Sequence, residues 1–374
     1  MLSMYHTLYF ESTRKCNFSC EHCSSGSNGN YEIEPDIDYN TIVERILVPA
    51  YSLGTRFIGF SGGEFLLRKD AYELLEVANK IGFNIGIVSN GSTINKKVIH
   101  ELKQILGDNF LITLGINSFD EENKKTRNVE SSYFLKVLDL LESENVRCNI
   151  AVTMGSFNAD SFNDTVEKIR KRYLPFNRIP FVPRHSSQTC MMFNKEIMRD
   201  KLHPALIKSF HGYISYVPLF LNPEDYEKHS EQNIENNHIP TNPSVGCWCG
   251  SFYSISPAGE VSPCPLIGDH VSGGNVLTEN LKDILFKSKL FTGITDRNNL
   301  KGKCGSCHFK FTCGGCRAYS YYVSGDIYAE DPTCFIDELN ESEIENLTKE
   351  TYKNFKNYLK MARFGGHFKK SNQI

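Results

Sequence analysis

From residue 6 to about residue 183, short apolar runs alternate with longer stretches in which apolar side chains recur every three or four positions. The short runs predict strands at 7–11, 56–60, 85–89, 110–116, 149–153 and 179–182. Between them the longer period predicts helices at 39–52, 69–81, 94–106, 131–144 and 160–172. The helix around 131–144 shows why: Phe134, Val137, Leu138 and Leu141 fall at i, i+3, i+4 and i+7 and form one buried stripe. Strands and helices in strict alternation build βαβ units and a parallel sheet, an α/β fold. Six units are too few for a closed eight-fold barrel. The expectation is therefore an open partial barrel or a doubly wound sheet, and in either the ligands gather at the carboxyl ends of the strands.

Beyond this region the rhythm breaks. Residues 184–246 are rich in His, Asn and Pro, with one predicted helix at about 194–212, and read as a connector that touches substrate. Residues 247–335 combine dense cysteine with Gly, Pro and short apolar runs, the composition of a small domain held by metal rather than by a large core. From 336 to 374 the chain reads as a terminal helix and tail. Glu341, Glu343 and Glu345 start that helix, Lys356, Lys360 and Arg363 end it in the sense of the helix dipole, and Gly365-Gly366 stops it.

Composition narrows the chemistry. The 374 residues carry 41 basic and 44 acidic side chains, a net charge of −3, without the basic excess of a nucleic-acid binder. No stretch approaches the roughly 20 apolar residues of a membrane span, and the first 30 residues lack the apolar core of a secretory signal. A cytoplasmic, reducing location is expected. There, 13 cysteines read as metal ligands rather than disulfides.

The first cysteine group, Cys16-Asn17-Phe18-Ser19-Cys20-Glu21-His22-Cys23, directly follows the first predicted strand. Three thiolates do not close a structural zinc site, and His22, beside a ligand, is poorly placed to be the fourth. Three cysteines on an iron–sulfur cube leave one iron open instead. Downstream, Ser61-Gly62-Gly63-Glu64 follows the second strand and Ser89-Asn90-Gly91 ends the third.

Together these motifs resemble the radical S-adenosylmethionine (SAM) superfamily, and residues 1–183 its partial (β/α)6 TIM-like barrel. The resemblance implies that Cys16, Cys20 and Cys23 hold a [4Fe-4S] cluster whose open iron binds SAM. It implies that Gly62 and Gly63 let the backbone approach the methionine amino group, that Glu64 accepts from that group, and that Ser89 and Asn90 line the SAM site. Relatives usually have Ser-Leu-Asp-Gly after the fourth strand; here Gly115 removes a hydroxyl and Asn117 removes a charge at positions that face SAM. Arg127 falls where relatives often place an arginine near the SAM carboxylate, with a solvated helix-end arginine as the alternative.

The second constellation is Cys247-Trp248-Cys249, Gly259 with Cys264, then Cys304, Cys307, Cys313, Cys316 and Cys334. Only five residues separate Cys307 from Cys313, too few for the usual zinc ribbon, whereas eight thiolates suffice for two four-cysteine cubes. The stretch resembles the SPASM extension of radical SAM enzymes, which carries two auxiliary [4Fe-4S] clusters, giving three clusters in all. By that resemblance Cys249, Cys264 and Cys316 serve the first auxiliary cluster, and Cys304, Cys307, Cys313 and Cys334 the second. Cys247 either completes the first or leaves it an open iron. Cys148 reads as a buried thiol and Cys190 as a connector residue.

The resemblance implies an oxidoreductase-type enzyme that cleaves SAM reductively to a 5′-deoxyadenosyl radical and takes hydrogen from a substrate. The run from Gly302 to Cys334 looks like that of maturases of ribosomally made peptides, which cross-link or epimerise residues, and like that of enzymes modifying tetrapyrrole side chains or other small molecules in haem pathways. Cys16 lies too early for an N-terminal peptide-recognition domain, so a peptide substrate calls for a separate peptide-recognition protein or direct leader binding. A non-catalytic electron-transfer or zinc protein would have no use for Gly62-Gly63-Glu64. A flavodoxin or ferredoxin is the expected reductant, and the general acid or base carries no sequence signal.

Overall fold

A computed structural model describes residues 5–27, 35–172, 174–184, 186–208, 216–234 and 245–363. The strands are β1 (Thr7–Glu11), β2 (Phe57–Ser61), β3 (Asn84–Ser89), β4 (Phe110–Ile116), β5 (Arg147–Met154), β6 (Phe176–Pro180), β7 (Phe252–Ile255) and β8 (Val261–Ser262). The chain divides into two compact units: Met1–Thr153 with Phe181–Met192 and Cys249–Asp296, and Met154–Pro180 with Phe193–Trp248 and Arg297–Ile374.

In the first unit the strand order is β5-β4-β3-β2-β1-β7-β8. All neighbours are parallel except the β7–β8 hairpin. This is the curled, parallel-rich half-barrel of an α/β fold. Alternation along each strand gives the sheet two faces. Leu8, Phe10, Ile58, Phe60, Ile87 and Ile112 lie on one face and are fully buried or nearly so. Helix Ala71–Ile81 contributes Leu74, Leu75 and Ala78 to the same core, and helix Lys96–Leu106 adds Ile99 and Leu102. Each such side chain stabilises the fold by about 1.5–3 kcal/mol relative to exposure. The opposite face is mixed: Tyr9 pairs in register with Gly59 and Ser254, Gly59 with Gly86, Gly86 with Leu111, and Thr113 with Val88 and Asn149.

Several elements differ from expectation. β6 begins three residues before the predicted 179–182, where Phe176 is buried and Pro180 ends the strand. Helix Glu121–Arg127 has no apolar stripe, and its buried residues are Asn123, Thr126 and Arg127. β7 was hidden in the cysteine-rich segment; all four of its residues are buried and it pairs with β1. It gives β1, otherwise an open edge, a partner.

The second unit contains helix Phe162–Lys171, a helical stretch from 195 to 208, helix Pro223–Ile234, the late cysteines and helix Glu341–Arg363. The predicted continuation of the 194–212 helix beyond 208, and the Gly365-Gly366 stop, lie outside the described residues. Among the described residues no helix is long and apolar enough to cross a membrane.

Candidate functional site

In the first unit, the segments following β1, β2, β3 and β4 all emerge at the carboxyl edge of the sheet, where barrel sites form. After β1, Ser12 N–H donates to Ser61 O at 2.9 Å, Gly63 N–H to Thr13 O at 2.7 Å and Glu64 N–H to Lys15 O at 2.8 Å. Residues 12–15 therefore lie directly on the Gly-Gly-Glu turn. Gly62 has φ +131°, and a Cβ there would sit 2.2 Å from Thr13 O; one on Gly63 would sit 2.2 Å from Lys15 O. The two glycines hold the base of the cysteine loop, a packing duty beyond the cofactor approach expected of them.

The loop places Cys16, Cys20 and Cys23 within electrostatic reach of one another. Their sulfurs collect donors: Phe18 N–H and Asn90 Nδ2 on Cys16 at 3.4 and 3.6 Å, Ser27 N–H on Cys23 at 3.3 Å, with Ser25 Oγ 3.4 Å from Cys23. Burial pushes the Cys20 thiol up to about 11 and raises that of Cys16, so metal binding there releases protons. Gln188 and Arg184 donate to the loop carbonyls of Glu21 and Ser24 at 2.5 and 3.1 Å. The start of the expected connector thus braces the cysteine loop.

Glu64 is fully buried. Its carboxylate accepts from Ser89 Oγ at 2.8 Å, Asn90 N–H at 2.8 Å and Thr93 Oγ1 at 3.2 Å. Burial raises its pKa, against the opposing effect of these three donors. The turn after β3 is thereby fastened to the turn after β2.

Arg127 is buried, not a solvated helix end. Its guanidinium lies where a Cβ on Gly115 would fall, with that Cβ 3.1 Å from Nη2, and it donates to Asn117 Oδ1 at 3.2 and 3.0 Å. Burial lowers its pKa, and the charges of the three cysteines oppose that shift. Gly115, read from the sequence as a lost hydroxyl, lets this guanidinium lie close against β4. Asn117 is enclosed as well: its Nδ2 donates to Thr126 Oγ1 at 2.8 Å and lies 3.1–3.2 Å from the His22 ring nitrogens. His22 is held well below its ordinary pKa, by burial first and by Arg127 second, and its Nδ1 is 3.2 Å from Thr126 O. This neutral ring ties the cysteine loop to helix Glu121–Arg127. Neither that helix nor the roles of His22 and Thr126 had a sequence signal, because the segment is polar on every face.

In the second unit, Cys304, Cys307, Cys313 and Cys334 line one small cleft, together with Lys303, Lys310 and Asp331. Sulfur acceptors again meet donors: Asp331 N–H and Arg317 Nη2 reach Cys304 at 3.3 and 3.6 Å, and Leu219 N–H reaches Cys313 at 3.3 Å. Burial pushes the Cys313 thiol up to about 12 and also raises those of Cys304 and Cys334. Arg317 is fully buried and donates to the carbonyls of Ile327 and Ala329 at 3.0 and 2.6 Å. Gly315 has φ +61°, and a Cβ there would stand 3.0 Å from Cys304 Sγ. The Cys-Gly-Gly-Cys-Arg run is thus shaped around this cleft.

Cys316 N–H donates to Asp331 Oδ2 at 2.6 Å, and Cys247 N–H to Cys313 O at 2.8 Å, both within the second unit. Cys249 and Cys264 belong to the first unit, on either side of the β7–β8 hairpin. Cys148 lies on β5, its thiol pushed up to about 12 by burial, and Cys190 is exposed. Among the described residues no three His, Cys, Asp or Glu side chains converge as they would around a single ion. A cube instead presents its irons at separate corners, so its ligands stand further apart. Both cysteine sets fit such clusters in donor chemistry: thiols, surrounded by N–H groups and a buried guanidinium.

Sequence profiles agree with this arrangement. That of the Radical SAM superfamily matches residues 10–169, and that of SPASM, an iron–sulfur cluster-binding domain, matches 247–308. The AdoMet-dependent heme synthase of Methanosarcina barkeri is 23% identical over 87% of this chain and 95% of its own length. The PqqA peptide cyclase of Rhodopseudomonas palustris is 22% identical over 88% and 87%. The crystal structure of SuiB from Streptococcus suis bound to precursor peptide SuiA superposes with a TM-score of 0.63 at 17% identity, covering 90% of this chain and 77% of that one. This last likeness concerns the fold.

Proposed function

Since the chain belongs to the radical SAM superfamily of enzymes and carries a SPASM iron–sulfur domain, we propose that it binds SAM beside a [4Fe-4S] cluster on Cys16, Cys20 and Cys23 and removes a hydrogen atom from a peptide substrate. The observation that carries this reading is the set of three thiols on one loop, ringed by N–H donors and faced by the buried Arg127. When bound, the cluster and SAM supply a 5′-deoxyadenosyl radical able to abstract hydrogen from an unactivated carbon.

The chain's own residues hold and orient. Arg127, fixed by Asn117, keeps positive charge beside the thiolates and would favour the SAM carboxylate there. Gly62 and Gly63 set the loop on β2. Ser89, Asn90 and Glu64 form the wall at the ends of β2 and β3. In this reading Glu64 acts first on the 89–93 turn, whose three donors it already accepts. Cys304, Cys307, Cys313 and Cys334 hold one auxiliary cluster. A flavodoxin or ferredoxin supplies the electron, in the cytoplasm.

The likeness to a PqqA peptide cyclase over nearly the whole of both chains supports a ribosomally made peptide as substrate, modified by cross-linking or epimerisation, with a separate recognition protein where the leader is not bound directly. The second reading is modification of a tetrapyrrole side chain, favoured by the match to an AdoMet-dependent heme synthase over 95% of that enzyme's own length.

The test is anaerobic reconstitution followed by assay for 5′-deoxyadenosine. The expected result is SAM cleavage in the intact chain and none in C16A/C20A/C23A, which should keep about 8 of roughly 12 iron atoms. SAM cleavage that survives the triple change would overturn the reading. Deuterium transfer into 5′-deoxyadenosine from a labelled precursor peptide, or from a labelled carboxylate-bearing tetrapyrrole, then separates the two substrate classes.

A further inference from the structure

The Asn90 side chain does not point into open space. Its Nδ2 donates to Cys16 Sγ at 3.6 Å and to Asn17 Oδ1 at 3.1 Å, while its Oδ1 accepts from Ser92 N–H at 2.8 Å. Its own backbone N–H is spent on Glu64 Oε2 at 2.8 Å. Glu64 at the same time takes Ser89 Oγ and Thr93 Oγ1, so the buried carboxylate fixes the turn on both sides of Asn90. Ser92 Oγ adds a second link to the cysteine loop, donating to Asn17 Oδ1 at 3.0 Å. A chain of contacts thus runs from Glu64 through the 89–93 turn to one cysteine sulfur.

From this geometry we infer that Asn90 is a positioning residue that sets the reduction potential of the cluster on Cys16, Cys20 and Cys23, and that Glu64 holds it in place. The inference rests on the proposed cluster at these cysteines. The physical reason is electrostatic: an N–H aimed at a ligand sulfur stabilises the more negative, reduced cluster, so removing it lowers the potential. Cys16 also takes Phe18 N–H at 3.4 Å and Cys23 takes Ser27 N–H at 3.3 Å, so Asn90 is one of several N–H donors and its removal shifts the potential without abolishing the site. Glu64 fixes the turn that carries Asn90, but its charge also lies within electrostatic reach of Cys16, so its removal has a direct effect on the potential of opposite sign.

The experiment is an EPR-monitored redox titration of the reconstituted full chain, following the signal that changes when SAM is added. N90A is expected to shift its midpoint to more negative potential and leave the SAM-insensitive signals where they are. N90D keeps an oxygen for Ser92 N–H, loses the donor and adds a carboxylate beside Cys16, both of which lower the potential, so it must shift the midpoint the same way and further than N90A, even if N90A assembles poorly. An unchanged midpoint in N90D, or shifts of equal size in every cluster, overturns the inference. If no signal responds to SAM in the unaltered chain, the cluster reading itself fails, which is a distinct result.

Discussion

At Gly63 an amino acid is dictated by another segment's backbone. A methyl group there would stand 2.2 Å from Lys15 O and 2.6 Å from Lys15 C, and neither atom can rotate away as a side chain would. Relief requires moving residues 13–15, which carry the cysteine loop. Gly63→Ala is therefore expected to cost upwards of about 1–3 kcal/mol and to strip the Cys16-Cys20-Cys23 cluster first. Iron analysis should fall from about 12 toward about 8 atoms per chain while thermal unfolding shifts down; retention of all the iron would contradict it. The motif was legible in the sequence, but this reason for it was not, since nothing in a linear string says that residues 13–15 cross over 62–64. Arg127 makes the complementary case: its position was legible, its burial was not, because Gly115 and Asn117, which meet the guanidinium, lie at and just after the end of β4 rather than on its own helix.

Among the elements, those with a strong period were legible and those defined by partners were not. Helices Ala71–Ile81 and Lys96–Leu106 and strands β1 and β4 fall within a residue or two of where their apolar spacing predicts. Helix Glu121–Arg127 and strand β7 carry no such signal; one is buried through polar contacts, and the other is too short to show alternation. The helical stretch ending at Lys208 offers a test of how one buried polar residue joins elements. His203 lies among Phe220, Phe335 and Tyr216, and its Nε2 is 3.2 Å from Pro218 O. Burial holds its pKa at about 4. The folded state then binds fewer protons than the unfolded chain between about pH 4 and 6.5, so this contribution is complete above pH 6.5 and is lost as pH falls. About 2 kcal/mol should disappear by pH 5, at about 1.4 kcal/mol per pH unit below 6.5. Denaturant unfolding at pH 7 and pH 5 checks this: His203→Gln should lose less stability on acidification than the unaltered chain, and equal losses would refute it.

For the molecule as a whole, chain order and compact units disagree. The sequence separates a barrel segment at 1–183 from a cysteine-rich segment at 247–335, yet Cys249–Asp296 belongs with Met1–Thr153, and Met154–Pro180 does not. β7 pairs with β1 along four residues, and Tyr5 packs against Tyr253, Phe286 and Phe291. A fragment ending at residue 183 would expose the edge of β1 and lose the partners of Tyr5. It is expected to aggregate or to unfold without a cooperative transition, as read by circular dichroism on heating. A soluble fragment with a sharp transition would show that β7 is dispensable.

What the sequence determined by itself was whatever depends on local spacing: the βαβ alternation, the three-cysteine loop after β1, the eight later cysteines, and the glycine and carboxylate positions at the strand ends. Spacing along a chain suffices there because helix and strand periods are set by the backbone, and a loop's ligand positions by neighbouring residues. Only the tertiary structure decided what depends on segments distant in sequence. It gave Gly115 to Arg127, the Glu64 carboxylate to the 89–93 turn, Asn90 to Cys16, and the cleft of Cys304, Cys307, Cys313 and Cys334 to Arg317 and Leu219. Hydrogen bonds and exclusion act over a few ångströms of space, and that proximity exists only once the chain has folded.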